Sequence, residues 1–408
     1  MRKYWLYSVC FSCLLSACSN TPQATTEEMS FIDVAGAMEN PAELQLSALG
    51  KEVHYVPLET TDSCLIGNNP NLLLLDKHIV VFFGKECLLF SKDNGKFICK
   101  VGHAGDDPEA YTNAQPIYND IDNLLYFKRS GDGLQKYDLS GAYRGKLKLP
   151  TTPLTPDEFV FTDSLIIGYY NTMGQQYNAR SLVFLDSEGA QVDTVPALHP
   201  PLPPKTVNDI VSISIRRQGL AGLVLSDFSD GTSSASIAGI PFLWKFGDKI
   251  HFKESFNDTI YTVERDKLVP TIVFSTGKWH WGSEARISQG NAADRLLMTA
   301  VFETENSVFF QCTRDMYGKE PEVFNGIYDR KAGVTRMYNQ KAGIIDDLIG
   351  FMPFHPKTYN AKGEYGMIVN MDEIMTWQEE HPEEAKNEKL AVLKTLTEDA
   401  NPVVVIVK

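Results

Sequence analysis

The sequence predicts an all-β fold, because short apolar strands alternate with turn residues from about Ile32 to the end of the chain. Three turns that end in Gly95, Gly141 and Gly189 each separate two apolar runs, a pattern typical of β-hairpins. These glycines lie 46 and 48 residues apart. A strand-based repeat with a period in the forties is typical of the blades of a β-propeller.

The first 17 residues predict a lipoprotein signal peptide. Arg2 and Lys3 supply a positive start, and the apolar stretch from Tyr4 to Leu15 is shorter than the about 20 residues that span a bilayer. It ends in the sequence Leu-Ser-Ala before Cys18, which resembles a bacterial lipobox, so we expect Cys18 to carry the lipid. An ordinary cleaved signal peptide is the alternative.

A polar segment, residues 18–31, follows the predicted cleavage site and indicates a flexible tether. Ser19 stands where an aspartate would hold a lipoprotein at the inner membrane, so the sequence favours an outer-membrane lipoprotein of the cell envelope. Whether the protein faces the periplasm or the cell surface stays open. Residues 32–408 are predicted to form the propeller.

Two stretches carry helical spacing within this β pattern. The first runs from Ala292 to Ala300, and the second runs from Asp372 to about Thr397 with a break at Pro382. The last strand, Val403–Val407, is purely apolar, so we expect it to lie centrally in a sheet.

Charge and cysteines limit the partners and the chemistry. The chain of 408 residues has 38 basic and 52 acidic residues and a net charge of −14, which argues against binding nucleic acid. Cys87 and Cys99 flank the turn at Gly95 and could form a disulfide across the hairpin, although buried free thiols are the favoured interpretation.

Five local patterns resemble a known group, the six-bladed β-propeller lipoproteins of Gram-negative bacteria, whose fold is TolB-like or NHL-like. The matching segments are Val53–Thr60, Phe90–Phe97, Phe256–Val263, Asp346–Gly350 and Asn401–Lys408. The resemblance implies a six-bladed propeller with short helical insertions, preceded by a lipoprotein signal peptide. It also implies that the strand near His54–Leu58 shares a sheet with Val403–Val407. No activity is assigned to this group.

An acidic segment between Val101 and Tyr111 is a weak candidate for a cation site. Asp106, Asp107 and Glu109 could offer oxygens to Ca²⁺, whereas His103 would suit Zn²⁺. The spacing matches no known Ca²⁺ or Zn²⁺ motif. In the group named above this segment connects two blades, so a solvated connector with Tyr111 packed inward is the favoured interpretation.

Two aromatic clusters are candidates for ligand contact. Trp279 and Trp281 flank His280 and could stack on sugar rings, although packing inside the fold is the favoured interpretation. Phe354 and His355 could line the mouth of a central channel or could simply cap the core.

The sequence contains no nucleophile elbow, no phosphate-binding loop and no dinucleotide-binding glycine motif. It therefore favours a lipid-anchored propeller that binds a glycan, a peptide or an envelope protein without catalysis. The alternative is a metal-dependent hydrolase or lactonase that holds a divalent cation, such as Ca²⁺, in the central channel.

Overall fold

A computed structural model describes residues 29–131, 133–150, 155–171, 180–199, 205, 207–287 and 294–408. Cys18 and the predicted signal peptide lie outside these residues. Within them, no helix is both long enough and apolar enough to cross a membrane.

The described residues form seven sheets, which we call sheets 1 to 6 and the inserted sheet. Two strands and a short helix come first in the chain: β1 (Ser30–Asp33), α1 (Val34–Glu39) and β2 (Val53–Pro57). Sheet 1 contains β3 to β6: Asn71–Leu74, His78–Phe83, Glu86–Ser91 and Phe97–Lys100. Sheet 2 contains β7 to β10: Pro116–Asn119, Leu124–Arg129, Gly133–Asp138 and Tyr143–Leu147. Sheet 3 contains β11 to β14: Glu158–Phe161, Ile166–Tyr169, Arg180–Leu185 and Gln191–Pro196.

The inserted sheet follows sheet 3 and contains β15 to β17: Ile210–Gln218, Ala221–Phe228 and Ser233–Ala238. Sheet 4 contains β18 to β21, with β1 added in parallel beside β21: Leu243–Phe246, Lys249–Phe252, Thr259–Val263 and Leu268–Ser275. Sheet 5 contains β22 to β25: Leu296–Glu303, Ser307–Arg314, Glu322–Asp329 and Val334–Asn339. Sheet 6 contains β26, β27 and β28, with β2 as its fourth strand: Thr358–Tyr359, Tyr365–Val369 and Val403–Val407.

Sheet 6 joins the two ends of the domain. β28 lies between β2 and β27, with Val53 opposite Val407 and Pro57 opposite Val403. All five residues of β28 are buried, because both faces of this central strand pack against core residues. The predicted pairing of the strand near His54–Leu58 with Val403–Val407 and the central position of β28 are therefore confirmed.

The periodic glycines are explained by a contact that recurs between sheets. Gly95, Gly141 and Gly189 have φ values of 69°, 83° and 85°. A Cβ atom at Gly95 would lie 1.8 Å from the carbonyl oxygen of Pro57, and one at Gly189 would lie 2.0 Å from that of Lys148. Glycine is required both for the left-handed turn and for the close approach to the neighbouring backbone.

This contact predicts that alanine substitution destabilises the protein more at Gly95 than at Gly333, a glycine with a similar φ. Gly333 precedes the fourth strand of sheet 5 with φ of 66°, but a Cβ atom there would have no atom within 4 Å beyond its chain neighbours. Gly333→Ala should cost about 1–2 kcal/mol from backbone strain alone. Gly95→Ala should cost about 1–3 kcal/mol more, because its methyl group meets a backbone carbonyl. Urea unfolding of both variants measures the difference, and equal losses would contradict the inter-sheet contact.

The prediction of a helix from Ala292 to Ala300 is wrong for residues 294–300, the part of this stretch that the structure describes. Leu296 begins strand β22, and every residue from Leu296 to Glu303 is buried. A strand buried on both faces has an unbroken apolar run, which contains residues at helical spacing by chance.

The second predicted helical stretch is confirmed, although the part after Pro382 forms 3₁₀ turns instead of an α-helix. Helix α2 (Met371–Glu380) precedes Pro382, and 3₁₀ turns at Glu384–Lys386 and Glu388–Thr395 follow it. Leu390 and Leu393 belong to the core of sheets 5 and 6.

The structure also bears on the predicted tether and on the predicted state of Cys87 and Cys99. The sequence predicts a tether over residues 18–31, but β1 already begins at Ser30 because it pairs with β21. Cys87 and Cys99 are free thiols. In the β5–β6 register Cys99 lies opposite Leu89, while the carbonyl of Cys87 accepts a hydrogen bond from Val101.

Candidate ligand-binding site

Two connecting segments of sheet 4 meet at its edge and form the candidate site. The first is the loop between β19 and β20, and the second is the connector that follows β21. In the loop, the Asn257 side chain accepts a hydrogen bond from the backbone N–H of Thr259 at 2.9 Å, and Phe256 is buried with φ of 60°. This tight turn places Asp258 beneath the connector.

Asp258 holds His280 in a defined orientation. The Oδ2 atom of Asp258 lies 3.0 Å from His280 Nδ1 and accepts a hydrogen bond from the Thr276 hydroxyl at 2.9 Å. Asp258 is 8 % exposed, whereas the side chain of His280 is 62 % exposed. The second oxygen of Asp258, Oδ1, is buried and has no hydrogen-bond partner among the described residues. The imidazole is thus held at Nδ1 by Asp258, while most of the side chain is exposed.

The surroundings favour the protonated form of His280. The hydrogen bond to Asp258 raises the pKa of His280 above 6.5, and the charges of Asp258 and Glu284 act in the same direction. Partial burial and the charge of Arg295 oppose this shift and are outweighed. His280 can therefore donate a hydrogen bond to a ligand and attract negative charge near neutral pH.

The pairing of Asp258 with His280 predicts that substitution of Asp258 changes the pKa of His280. Asp258→Asn should lower the pKa of His280, because the imidazolium loses its carboxylate partner. Glu284→Gln is the matched control and should lower it less, since Glu284 contributes charge without a hydrogen bond. Two-dimensional NMR of the histidine ring protons against pH measures both, and an unchanged His280 pKa in Asp258→Asn would contradict the pairing.

The raised pKa of His280 makes the stability of the fold depend on pH. Below about pH 6.5 the imidazole is protonated in both the folded and the unfolded chain, so the pairing with Asp258 stabilises the fold fully. As the pH rises through the higher pKa of the folded state, the charge and its stabilising effect are lost.

A buried polar cluster lies against the same loop and has no counterpart among the sequence predictions. Glu254 accepts a hydrogen bond from the Ser181 hydroxyl at 2.7 Å, and its other oxygen lies 3.6 Å from His199 Nε2. His199 Nε2 also lies 2.6 Å from the carbonyl oxygen of Ser255, to which it donates. Burial lowers the pKa of His199, which favours the neutral ring. These residues come from three distant segments, so no local spacing could have signalled them.

Lys253 adds a buried cation to this region. Its ammonium group donates to the carbonyl oxygen of Met298 at 3.0 Å. Burial lowers the pKa of Lys253 to about 8, although Asp258 and Glu254 act to raise it. The only sequence signal was a Lys-Glu-Ser triplet between two apolar strands.

The two tryptophans beside His280 differ in burial and in their packing partners. Trp281 is 4 % exposed and packs edge-on against Tyr317, with ring centroids 5.5 Å apart. Trp279 is half-buried, and the ammonium group of Lys278 lies 4.4 Å from the centre of its ring. Trp279 and His280 therefore remain at the surface, whereas Trp281 contributes packing.

The second aromatic cluster lies elsewhere in the fold. Phe354 is 1 % exposed and belongs to the core of sheets 5 and 6, while Trp281 belongs to a core shared by sheets 3 and 4 and the inserted sheet. His355 is half-buried, and burial lowers its pKa. The structure does not bring Phe354 and His355 together with His280.

The acidic segment is held by its own hydrogen bonds. Asp107 Oδ1 accepts from the backbone N–H groups of Glu109 and Ala110 at 3.1 and 3.2 Å, and Asp107 Oδ2 lies 2.5 Å from His103 Nε2. The guanidinium group of Arg129 donates to the carbonyl oxygens of Asp106, Asp107 and Ala110. Both carboxylate oxygens of Asp107 are thus already engaged by donors.

Tyr111 packs inward, as predicted, and stacks on Phe127 with ring centroids 4.5 Å apart. Across the described ranges, no group of three or more His, Cys, Asp or Glu side chains is arranged to hold a metal ion.

Comparison with known proteins places the chain in a family. Residues 29–408 match the family described as Domain of unknown function (DUF4934), and the chain belongs to it. No curated protein matches the chain.

Two solved structures are similar to the chain to different degrees. A Bacteroides fragilis protein described as a "Putative exported protein" is 15 % identical with a TM-score of 0.58, over 88 % of this chain and 94 % of that chain. RRP9 WD40 repeats are 9 % identical with a TM-score of 0.38, over 90 % and 99 % of the two chains. The first of these, together with the four-stranded antiparallel sheets described above, supports an all-β fold of the propeller type.

Proposed function

We propose that this DUF4934 protein is a lipid-anchored propeller of the cell envelope that binds a ligand or partner without catalysing a reaction. Sheets 1 to 6 are its six blades, Cys18 carries the lipid, and the outer membrane is its location. The ligand contacts Trp279 and His280.

Contacts between neighbouring sheets support six blades in a ring. The first strands of sheets 3 and 4, β11 and β18, lie against each other although the inserted sheet separates them in the chain. Glu158 in β11 accepts the backbone N–H groups of Phe242 and Leu243 at the start of β18. β26 and β27 of sheet 6 lie against β3 of sheet 1. The inserted sheet then stands outside the ring.

The observation that carries the binding proposal is the exposed imidazole of His280 on a buried carboxylate. A histidine that activates a side-chain nucleophile has that nucleophile within hydrogen-bonding distance. Among the described residues, no Ser, Thr, Cys or Tyr side chain is hydrogen-bonded to His280 Nε2. The pair therefore suits recognition better than covalent catalysis.

The charges near His280 favour a ligand that carries a carboxylate, such as an acidic glycan or a peptide. Arg295 donates to the carbonyl oxygen of His280 at 2.8 Å and is itself partly exposed. Lys278 lies over the ring of Trp279 and pairs with Glu39 at 2.9 Å. His280 and Arg295 stand in a chain whose net charge is −14, so these two cations offer an anion a local site.

The direct test uses residues 19–408, which retain every described strand. Oligogalacturonate, a neutral oligosaccharide of equal length and short acidic peptides are titrated by calorimetry at pH 6 and pH 8. We expect one carboxylate ligand to bind more weakly at pH 8, and His280→Ala to weaken it about tenfold or more. His54→Ala is the matched control, because His54 is an exposed histidine beside a carboxylate, 3.3 Å from Glu52. Equal effects of the two substitutions, or no binding, would reject the proposed site.

The metal-dependent alternative is tested separately. Thermal unfolding is followed with Ca²⁺, Mg²⁺, Mn²⁺ and Zn²⁺ against EDTA. A cation at a hundred times its Kd would stabilise the protein by about 2.7 kcal/mol. We expect no saturable shift, and a shift with one cation would favour the hydrolase.

The lipid anchor makes its own prediction. Cys18→Ala should abolish labelling of the protein by radioactive palmitate, because the thiol that would carry the lipid chain is removed. Metabolic labelling followed by immunoprecipitation measures this. Labelling that persists in the variant would contradict anchoring at Cys18.

A further inference from the structure

The first elements of the domain lie against the connector that carries Trp279 and His280. β1 pairs in parallel with β21, with Asp33 opposite Ser275, and the connector begins at the next residue. Among the described strands, β1 pairs with β21 alone. We call Ser30–Glu39, which comprises β1 and α1, the N-terminal segment. This segment and the connector are distant in the sequence and meet only in the folded chain.

The N-terminal segment contacts the connector at the two residues that precede Trp279. A Cβ atom at Gly277 would lie 3.0 Å from the Cβ atom of Ala35, so the methyl group of Ala35 packs closely against this backbone. The ammonium group of Lys278 lies 2.9 Å from Glu39 Oε1. The surface of α1 therefore follows the path of the connector.

Trp279 continues this contact into the core. It packs against a cluster of buried residues that includes three members of the N-terminal segment, Ile32, Val34 and Ala37. Ile32 and Val34 have no exposed surface, so the docked position of the segment is well defined. The next residue of the connector, His280, is held at Nδ1 by Asp258. The connector is thus held by the β19–β20 loop and by the N-terminal segment together.

The N-terminal segment is also the first described part of the chain after the proposed lipid. Cys18 lies twelve residues before Ser30, and twelve residues span only about 40 Å when fully extended. A pull on the lipid beyond that length acts on β1 before any other element. β1 is a four-residue parallel strand at the edge of sheet 4, and short edge elements open locally at a lower free energy than the core.

We propose that the N-terminal segment is a positioning element of the ligand site. In its docked state it holds Trp279 and His280 in the orientation that binds the ligand, and its release leaves the connector without this support. By linkage, a bound ligand stabilises the docked segment as much as the docked segment favours the ligand. The inference rests on the proposed function, because it assigns the regulation of that same site to the segment into which the tether leads.

Two variants of residues 19–408 test the positioning without a ligand. Ala35→Leu should push the segment away from Gly277, and Ile32→Asp should release β1 because a charge is strongly disfavoured at a fully buried position. We expect hydrogen exchange of residues 30–39, followed by mass spectrometry, to become about tenfold faster or more. The pKa of His280, followed by two-dimensional NMR, should fall towards 6.5, because the imidazole is no longer fixed beside Asp258.

Ala48→Leu is the matched control, since Ala48 is a half-buried alanine in a 3₁₀ turn that packs against the core of sheets 5 and 6. It should leave the pKa of His280 at the wild-type value, and an equal fall in the control would overturn the proposal. Faster exchange of residues 30–39 with an unchanged His280 pKa would show that the segment only stabilises the fold. Unchanged exchange in both variants would show that these contacts do not hold the segment.

Either of the last two results would also overturn the proposal. Neither readout requires a ligand, so the proposed function and the positioning by the N-terminal segment can fail separately. Loss of ligand binding in calorimetry would reject the first, whereas an insensitive His280 pKa would reject the second.

Discussion

A chain that ends at Pro402 is expected not to fold. The truncation removes β28, whose five residues are all buried, and each large apolar side chain contributes about 1.5–3 kcal/mol when buried. Their sum is comparable to the whole stability of a typical domain, about 5–15 kcal/mol. Strands β2 and β27 would also lose the partner between them. Circular dichroism and thermal unfolding measure the outcome.

The control for this truncation is Lys408→Ala, because Lys408 is exposed and lies just after β28. It keeps the chain length and its backbone contacts with Lys51 and Glu52, so its thermal midpoint should stay close to that of the wild type. A truncated chain with an unchanged midpoint would show that sheet 6 does not hold the two ends of the domain together.

Glu303→Ala is expected to be the most destabilising single substitution that we consider, at about 3–5 kcal/mol. Glu303 is 3 % exposed, and its Oε2 accepts hydrogen bonds from Trp244 Nε1 at 2.9 Å and from His251 Nδ1 at 2.6 Å. Its Oε1 pairs with Arg330. The carboxylate joins sheets 4 and 5, and its removal leaves buried donors and a cation without their partner.

Urea unfolding measures this loss, with Glu322→Ala as the matched control. Glu322 pairs with Arg314 at the surface of sheet 5, where both side chains are partly exposed. Surface ion pairs of this kind contribute about 0–1 kcal/mol. Similar losses for the two variants would contradict a special role for the buried carboxylate.

The Glu303 network also predicts a pH dependence. Burial by itself would raise the pKa of Glu303, but His251, Arg330 and Trp244 together lower it below 4.5. A depressed carboxyl pKa stabilises the fold above the pKa of the unfolded chain. This stabilisation should be lost as the pH falls from about 4.5 through the lower folded value, and Glu303→Gln should remove the dependence.

The sequence predicted most of the repeated architecture because local chemistry encodes it. Gly95 and Gly141 mark turns that require positive φ, and the purely apolar run of Val403–Val407 can be satisfied only in the middle of a sheet. It failed at Leu296–Glu303, where burial on both faces removes the alternation that distinguishes a strand from a helix. It also did not separate the inserted sheet from sheets 1 to 6, since β15 to β17 carry the same hairpin signals.

The candidate site was predicted only in part. His280 was identified from its neighbours in sequence, but Asp258 lies 22 residues away and was noticed only within a strand motif. The sequence grouped Trp281 with Trp279 in one candidate site because they are close in sequence. In the structure Trp281 is buried whereas Trp279 is only half-buried, because the connector is irregular and its side chains point in different directions.

By itself, the sequence determined the turns, the strand periods, the closing strand and the acidic character of the chain, since each depends on a few neighbouring residues or on composition. Tertiary structure alone decided that Asp258 orients His280, that Glu254, Ser181 and His199 meet in one buried cluster, and that β15 to β17 form a sheet of their own. These features join segments that are distant in the chain. The packing of whole sheets brings them together, and no short-range pattern of residues records it.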